Sequence, residues 1–192
     1  MDISCGKEMG YVLKLLAIAK REANTVQVRV HPTFLPKTHP LSSVNGSFNA
    51  VHLNGHACQE MMLQGRGAGD MPTASAVVSD ILRAATAEIH LHPTFANTAE
   101  ADPSLVFDDN WESQYFIRLS AEDRPGVLAK IATWLSQENV SIATMLQKAK
   151  ADDGRVPLII VTHVAPEKSL RKALKAFEAD VCTVESVIRV EG

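Results

Sequence analysis

The order of apolar patterns in the second half of the chain restricts its fold more than any other feature. Six segments follow one another as strand, helix, strand, strand, helix and strand, because apolar residues alternate or run together in four of them and recur at helical spacing in two. Asp153 and Gly154 provide a hairpin turn before the third strand. This order predicts a βαββαβ, ferredoxin-like unit. The segments are residues 115–119, 127–135, 140–146, 156–164, 170–177 and 184–190.

The first half opens with two segments of different periodicity. Apolar side chains at positions 12, 15, 16 and 19, with basic residues offset from them, predict a helix over residues 10–21. Residues 26–30 read Val-Gln-Val-Arg-Val, and this strict alternation predicts a half-covered strand.

Proline and Asn-Gly signals divide the rest of the first half. Prolines at positions 32, 36 and 40 predict an extended connection, and Asn-Gly pairs at 45–46 and 54–55 predict turns. Strands are predicted over residues 48–53 and 60–64, followed by a helix from about residue 72 to 87. The fold class is therefore α+β, with an antiparallel sheet in the first half.

A change of composition separates the two halves. Residues 90–110 are rich in Asn, Thr, Asp and Pro and have no sustained period, as expected of a linker. We therefore predict a first domain over residues 1–90, a linker over residues 91–112 and a second domain over residues 113–192.

Composition and charge exclude several classes of function. A formal net charge of -3 disfavours binding to nucleic acid, and no apolar run approaches the length of a membrane helix. The first residues have no secretory signal pattern. Cys5, Cys58 and Cys182 are far apart and odd in number, so they predict free thiols in the cytoplasm rather than disulfides, a metal site or a catalytic cysteine.

The glycine-rich residues 65–69 follow a predicted strand and precede a predicted helix. Free backbone N–H groups at a helix start favour negative charge, so this loop could meet a phosphate. The pattern is not G-x-G-x-x-G, however, and a tight turn that lets a small-residue helix pack closely explains it equally well. Both interpretations stay open from the residues alone.

Residues 120–128 contain a connection between a predicted strand and helix. Asp123 can cap the helix, Pro125 suits its first turn, and Gly126 keeps the backbone accessible. One interpretation is an ordinary strand-to-helix connection. The other is a site that, together with residues 139–145, holds the charged ends of an amino acid, since helix-start N–H groups suit a carboxylate.

Residues 7–87 resemble the second half of homoserine dehydrogenase, and residues 113–192 resemble the ACT domain that bacterial members of that family often append. The dehydrogenase motifs stand in the family's order with similar spacing. They are GYVLKLLAIAK at 10–20, RVHPTFLP at 29–36, HPL at 39–41, VNG at 44–46, NA at 49–50 and GRGAGDMPTASAVV at 65–78.

This resemblance implies an NADP- or NAD-dependent oxidoreductase that interconverts L-homoserine and L-aspartate 4-semialdehyde in threonine, methionine and isoleucine biosynthesis. The family's order is a Rossmann domain, a substrate and dimerisation domain, and a return segment, which residues 65–69 match. Gly69 occupies the position that approaches the dinucleotide, and Gly67 is the second cofactor-binding candidate. We do not expect this part of the site to bind the cofactor firmly.

The resemblance assigns no catalytic residue to this chain. The family's catalytic lysine and aspartate, and the glutamate that binds the amino acid, lie upstream of the motif at 10–20. Lys14 and Lys20 are interpreted as solvated lysines, and His31, His39 and His52 as strand or turn histidines without acidic partners at triad or metal spacing. We therefore expect the parent protein to be the enzyme and this chain alone to be inactive.

The ACT resemblance implies an amino-acid effector, with threonine expected, bound where two ACT units pair edge to edge in a homodimer or higher homo-oligomer. Two alternatives remain, namely a stand-alone, non-enzymatic amino-acid sensor and an ACT unit that serves only in assembly. The effector-binding candidates are Asp123, Gly126, Val127, Asn139, Ser141 and Ile142.

Overall fold

A computed structural model describes residues 1–86, 103–149 and 154–192, and these form two compact units. The first unit combines Met1–Lys37 with Val106–Gly192, and the second is Thr38–Leu105. Most of the predicted linker and Asp153 of the predicted hairpin turn lie outside the described residues.

The first unit is built on a mixed sheet with the strand order β1-β2-β10-β6-β8-β7. Two short strands lie beside this path, β5 next to β2 and β9 next to β6. The elements of this unit are α1 (Asp2–Glu8), β1 (Tyr11–Glu22), β2 (Thr25–Pro36), β5 (Val106–Phe107), β6 (Glu112–Glu122), α3 (Val127–Gln137), β7 (Ile142–Gln147), β8 (Arg155–Thr162), β9 (Ala165–Pro166), α4 (Glu167–Lys175) and β10 (Cys182–Val190).

The second unit contains a short 3-10 turn, a hairpin and a helix. Its elements are the turn Pro40–Ser43, β3 (Phe48–Gly55), β4 (Gln59–Arg66) and α2 (Asp70–Thr86). β3 and β4 pair in antiparallel register, and every described residue of α2 is exposed or half-exposed. The predicted strands and the predicted helix of this segment are confirmed.

The βαββαβ prediction for the second half of the chain is confirmed. β6, α3, β7, β8, α4 and β10 follow in that order, and their strands lie in the sheet as β10-β6-β8-β7. Ile117 and Leu119 of β6 are fully buried, and so are Ile131 and Leu135 of α3. Leu158 of β8 is almost fully buried. The alternation in the strands and the helical spacing in α3 therefore meet in one apolar core.

The predicted helix over residues 10–21 is wrong, because this segment is strand β1. All twelve of its residues pair with β2, from Tyr11 opposite Pro36 to Glu22 opposite Thr25. The apolar residues occur on both strand faces: Leu16 is half-buried, whereas Leu15 is 74% exposed. Apolar residues on both faces imitate helical spacing, so periodicity alone could not separate the two structures.

Two local predictions also need correction. β2 does not stop at residue 30 but continues to Pro36, because its whole length finds a partner in β1. The turn between β3 and β4 lies at residues 56–58 rather than at Asn54-Gly55, since Gly55 still pairs with Gln59. Gln59 takes a left-handed φ of 52° at this turn.

Helix α1, which the sequence patterns did not predict, covers the other face of the sheet. Its Cys5 packs with Phe34, Phe116 and other apolar residues in a second buried cluster. Gly6 lies against the Phe34 ring, where a Cβ would overlap the ring atoms. Asp2 receives hydrogen bonds from Arg118 of β6 at 2.6 and 3.4 Å. The first residues are thus part of the sheet unit.

The compact units group the chain differently from the predicted domains 1–90 and 113–192, which stay a prediction. β2 lies parallel to β10, with Thr33 opposite Arg189 and Phe34 opposite Val190. This pairing and the burial of α1 place the first 37 residues in the same unit as residues 106–192. Residues 1–37 group with residues 106–192 because β2 pairs with β10, and the composition of the chain gives no sign of this pairing.

The three cysteines are free thiols, with Cys5 and Cys182 buried and Cys58 exposed. Burial raises the pKa of Cys182 to about 11, which disfavours a thiolate. Among the described residues, no helix is long and apolar enough to cross a membrane.

Helix α3 allows a direct test of the core. Ile131→Ala should lower the free energy of unfolding by about 2–5 kcal/mol, because it leaves a cavity in place of a fully buried side chain. Leu128→Ala on the same helix should cost less than about 1 kcal/mol, since Leu128 is 43% exposed. Urea denaturation followed by the fluorescence of Trp111 and Trp134 measures both, and equal losses would contradict this assignment of the core.

Candidate effector and cofactor sites

Gly67, one of the two cofactor candidates, has a packing role in the second unit. Its N–H donates a 2.8 Å hydrogen bond to the carbonyl oxygen of Ser47. A Cβ at this position would overlap the side-chain amide of Asn49. Because this N–H is already used within the protein, the tight-turn interpretation of the loop describes Gly67 better than a phosphate contact does.

Gly69, the other cofactor candidate, stands directly before α2. Its φ of +128° is a conformation that L side chains rarely adopt, and its carbonyl oxygen accepts a hydrogen bond from Thr73 N–H at 3.0 Å. The residue is exposed at the start of a 17-residue helix, where backbone N–H groups favour an anion. Asp70 in the first turn opposes that preference. Of the two candidates, Gly69 alone combines an exposed backbone with a helix start, and its contact with a cofactor phosphate stays a prediction.

Two of the predicted turn and strand histidines face each other. The rings of His39 and His52 lie 5.4 Å apart in an edge-on arrangement, and the His39 ring accepts a hydrogen bond from Leu41 N–H. Burial and the neighbouring His52 lower the pKa of His39, so its neutral form is favoured. Among the described residues no cluster of three metal-ligating side chains occurs.

The first three effector candidates lie at the start of α3. Gly126 is the N-cap residue, with a left-handed φ of 90° and no side-chain cap. The prediction that Asp123 caps the helix is therefore wrong, because the cap position falls three residues later. Asp123 and Val127 line a cavity of about 70 Å³ that also involves Arg124 and Gln147.

This first cavity is smaller than a complete ligand pocket, which usually has a volume of roughly 300–1,000 Å³. Arg124 pairs with Glu122 at its rim. Arg124 and Gln147 are lining residues that the sequence analysis missed. Arg124 lies within the strand-to-helix connection of residues 120–128, whereas no sequence motif distinguishes Gln147.

The other three candidates lie at the far end of α3. Asn139, Ser141 and Ile142 line an open groove of about 420 Å³ together with Ala132 and Ser136. Asn139 has a left-handed φ of 58°, and its N–H donates to the carbonyl oxygen of Ser136 at 3.0 Å. This conformation reverses the chain from α3 towards β7.

The six effector candidates therefore form two groups of three rather than one site. α3 has 11 residues, and at 1.5 Å per residue it separates the groups by about 16 Å. An amino acid of threonine's size cannot contact both groups in one chain. β7, which begins beside the second group, is an edge strand of the sheet among the described residues.

Two family models match the chain in succession. A homoserine dehydrogenase model matches residues 1–82, and an ACT domain model matches residues 115–180. Homoserine dehydrogenase of Neisseria gonorrhoeae is 37% identical to all of this chain, and that of Corynebacterium glutamicum is 39% identical to 99% of it. The chain spans 46% and 44% of the length of these curated relatives.

Solved structures show the same relationship. A homoserine dehydrogenase structure from Thiobacillus denitrificans matches 99% of the chain with a TM-score of 0.82 and 37% identity, over 44% of its own length. The S. aureus homoserine dehydrogenase at pH 8.5 matches the whole chain with a TM-score of 0.62 and 26% identity, over 44% of its length. The α+β fold class is confirmed.

The packing role of Gly67 can be tested against its neighbour Gly65. Gly67→Ala should destabilise the β3–β4 hairpin by about 1–3 kcal/mol, because the added methyl group displaces the Asn49 amide. Gly65→Ala should change stability by less than about 1 kcal/mol, since its Cβ would meet open space. Hydrogen exchange of residues 48–66 measures both variants, and similar exchange in the two would argue against this role.

Proposed function

Since the chain belongs to the homoserine dehydrogenase family and corresponds to its C-terminal part, we propose that it is the assembly and regulatory portion of an enzyme that interconverts L-homoserine and L-aspartate 4-semialdehyde. The succession of the two family matches along one chain carries this proposal. The reaction itself belongs to the longer parent, and this chain alone is inactive.

The cofactor of the parent is NADP or NAD, which would carry the hydride when bound. Gly69 would meet a phosphate of that cofactor through its backbone, and Gly67 would shape the loop through its contact with Asn49. Met71, Ile81 and other apolar side chains of α2 are exposed. We therefore expect weak cofactor binding by this chain.

The regulatory function rests on the two groups of effector candidates. Asp123 and Val127 line the small cavity at the start of α3, whereas Asn139, Ser141 and Ile142 line the open groove at its other end. Two chains that pair through their β7 edges in a two-fold dimer would bring the first group of one chain towards the second group of the other. One dimer would then contain two equivalent sites, each built from both copies.

The chemistry of the two groups suits a small polar amino acid, and threonine is the expected effector. Backbone N–H groups at the start of α3 would receive the carboxylate. Asn139 and Ser141 would offer hydrogen-bonding groups to the ammonium and hydroxyl groups. Threonine is an end product of the pathway that the parent enzyme would serve, with methionine and isoleucine, in the cytoplasm.

An exposed apolar face on the β1–β2 hairpin supports a homodimer or higher homo-oligomer. Leu15, Val28 and Val30 are 74%, 62% and 67% exposed. Because monomeric proteins rarely expose such a contiguous apolar surface, we expect another surface to cover it.

A stand-alone amino-acid sensor remains the second candidate, and an ACT unit that serves only in assembly remains the third. Complete effector cavities in the absence of dehydrogenase activity would favour the sensor. Dimer formation without effector binding would favour the assembly role.

The inactivity of the chain is directly measurable. Purified chain, supplied with homoserine and either NADP or NAD, should give no reduction of the nicotinamide above the background rate. The expected reason is that the resemblance places the catalytic lysine and acids outside this chain. Reduction that depends on homoserine would overturn the proposal of inactivity, and a full-length relative serves as the positive control.

Binding of threonine tests the regulatory proposal. Calorimetric titration should detect threonine binding to the chain, and Asp123→Ala and Asn139→Gly should each abolish it. Asn139→Gly preserves the left-handed backbone, so it removes only the side chain. A silent titration of the unmodified chain would count against an effector role and favour assembly alone.

Co-expression of these two variants distinguishes a shared site from a site within one chain. In a two-fold dimer the mixture should recover about a quarter of the normal threonine sites, because half of the dimers are mixed and each has one intact site of two. No recovery would mean that the two groups act within the same chain.

A further inference from the structure

The β1–β2 hairpin is joined to the rest of the first unit at few points. In the described part of the chain, β2 and β10 pair only at Thr33 with Arg189 and at Phe34 with Val190. Near the hairpin turn, β5 pairs with two residues at the start of β2. The segment of the hairpin between these points therefore depends on side-chain contacts.

Glu191 contacts both strands of the hairpin. Its Oε1 lies 2.5 Å from Nη2 of Arg29 on β2, and its Oε2 lies 3.1 Å from Nζ of Lys20 on β1. Its backbone N–H also donates to the carbonyl oxygen of Phe34 at 3.0 Å. One residue at the end of β10 thus joins three places on the hairpin.

The guanidinium of Arg29 is enclosed. The Arg29 side chain is only 2% exposed, and its Cζ lies 5.1 Å from the centroid of the Trp111 ring. His31 stacks on the same ring, and burial lowers the pKa of His31, so a second positive charge beside Arg29 is disfavoured. Among the described residues, Glu191 is the acidic partner that Arg29 contacts.

The helix-covered core does not depend on this contact. The apolar cluster beneath α3 and α4 includes residues of β6, β8 and β10 but none of the hairpin. An isolated two-stranded hairpin is marginally stable in water. Residues 14–32 of the hairpin belong to neither apolar cluster, whereas Tyr11, Leu13 and Phe34 pack in the second one. This segment can therefore open while both clusters stay packed.

We propose that the Glu191 carboxylate, which directly follows β10 of the βαββαβ unit, holds the β1–β2 hairpin closed through Arg29 and Lys20; we call this contact the Glu191 latch. When the carboxylate is withdrawn, the buried Arg29 guanidinium keeps only its 3.3 Å hydrogen bond to Gln27 Oε1 and has no acidic partner, so opening to water becomes more favourable. This device goes beyond the proposed function, and its test needs neither an effector nor enzyme activity.

Hydrogen exchange measured by mass spectrometry on the 192-residue chain tests the latch. Glu191→Gln keeps the shape of the side chain and removes its charge. Exchange of the amides in residues 14–32 should accelerate at least about tenfold, whereas exchange of the buried β6 and β8 amides should stay unchanged. Unchanged exchange in the hairpin, or equal acceleration in all strands, would overturn the proposal.

Glu185→Gln, on β10 itself, is the matched control for Glu191, which directly follows that strand. Glu185 lies 3.6 Å from Arg118, and its side chain is 43% exposed. Removing this charge should leave exchange of the hairpin unchanged. Acceleration equal to that of Glu191→Gln would show a general effect of charge on β10 and would contradict the latch.

A double variant tests the cause of the opening. Arg29→Met combined with Glu191→Gln removes the buried charge together with its partner. Exchange in the hairpin should therefore slow again, towards the rate of the unmodified chain. Persistent fast exchange would show that the unpaired arginine does not drive opening.

If Glu191→Gln fails to fold, Lys20→Met provides the second test. It should accelerate exchange in β1 by about twofold to threefold, because it removes only the exposed half of the latch, and no change there would count against the proposal.

Discussion

The central strands of the first unit are apolar on both faces, and both faces must be covered for the sheet to be stable. On β6, Ile117 points into the cluster beneath α3 and α4, whereas the adjacent Phe116 belongs to the cluster on the opposite face. Burial of a side chain of this size contributes about 1.5–3 kcal/mol, so leaving either face open would be costly. Two helices from the βαββαβ unit cover one face. α1 covers the other, and it comes within reach only because Gly6 has no Cβ to collide with Phe34.

This requirement explains why segments far apart in the chain share one unit. β2 contributes Phe34 to the second cluster and also pairs with the end of β10. Arg118 of β6 and Asp2 of α1 complete the attachment. Burial by itself raises the pKa of Asp2, but the Arg118 guanidinium outweighs burial and holds that pKa below its usual value. A segment that matches the dehydrogenase family is consequently integrated with one that matches the ACT family.

Local signals predicted the βαββαβ unit well, because its strands alternate or are continuously apolar and its helices have one clear apolar face. They failed for β1, where Leu15 and Leu16 both look like core residues although only Leu16 is half-buried. They also could not show that Gly67 makes room for Asn49, since that contact joins positions 18 residues apart in sequence through the pairing of two strands. The effector candidates were identified by resemblance. Their division into two groups follows from the helix between Val127 and Asn139, whose length separates the two ends of the predicted site.

In the proposed function, one edge of the sheet belongs to the effector site and the other edge carries the hairpin held by Glu191. Any coupling between these two edges must pass through the strands of the sheet. β7 and the second effector group lie at one edge, whereas the β1–β2 hairpin lies at the other. Between them, the carbonyl oxygen of Ser141 accepts from His163 N–H at 2.8 Å, and Oγ1 of the buried Thr162 accepts from Tyr115 N–H at 3.0 Å. Tyr115 is paired with Arg189, and Arg189 is opposite Thr33 of β2. Under the proposed regulatory function, an effector that shifted the start of β7 would act on the hairpin through these hydrogen-bonded strands. Such a shift would act on the hairpin only where the hairpin is weakly attached. That place is the contact of Glu191 with Arg29 and Lys20, because a small displacement there would separate the Glu191 carboxylate from both positive charges.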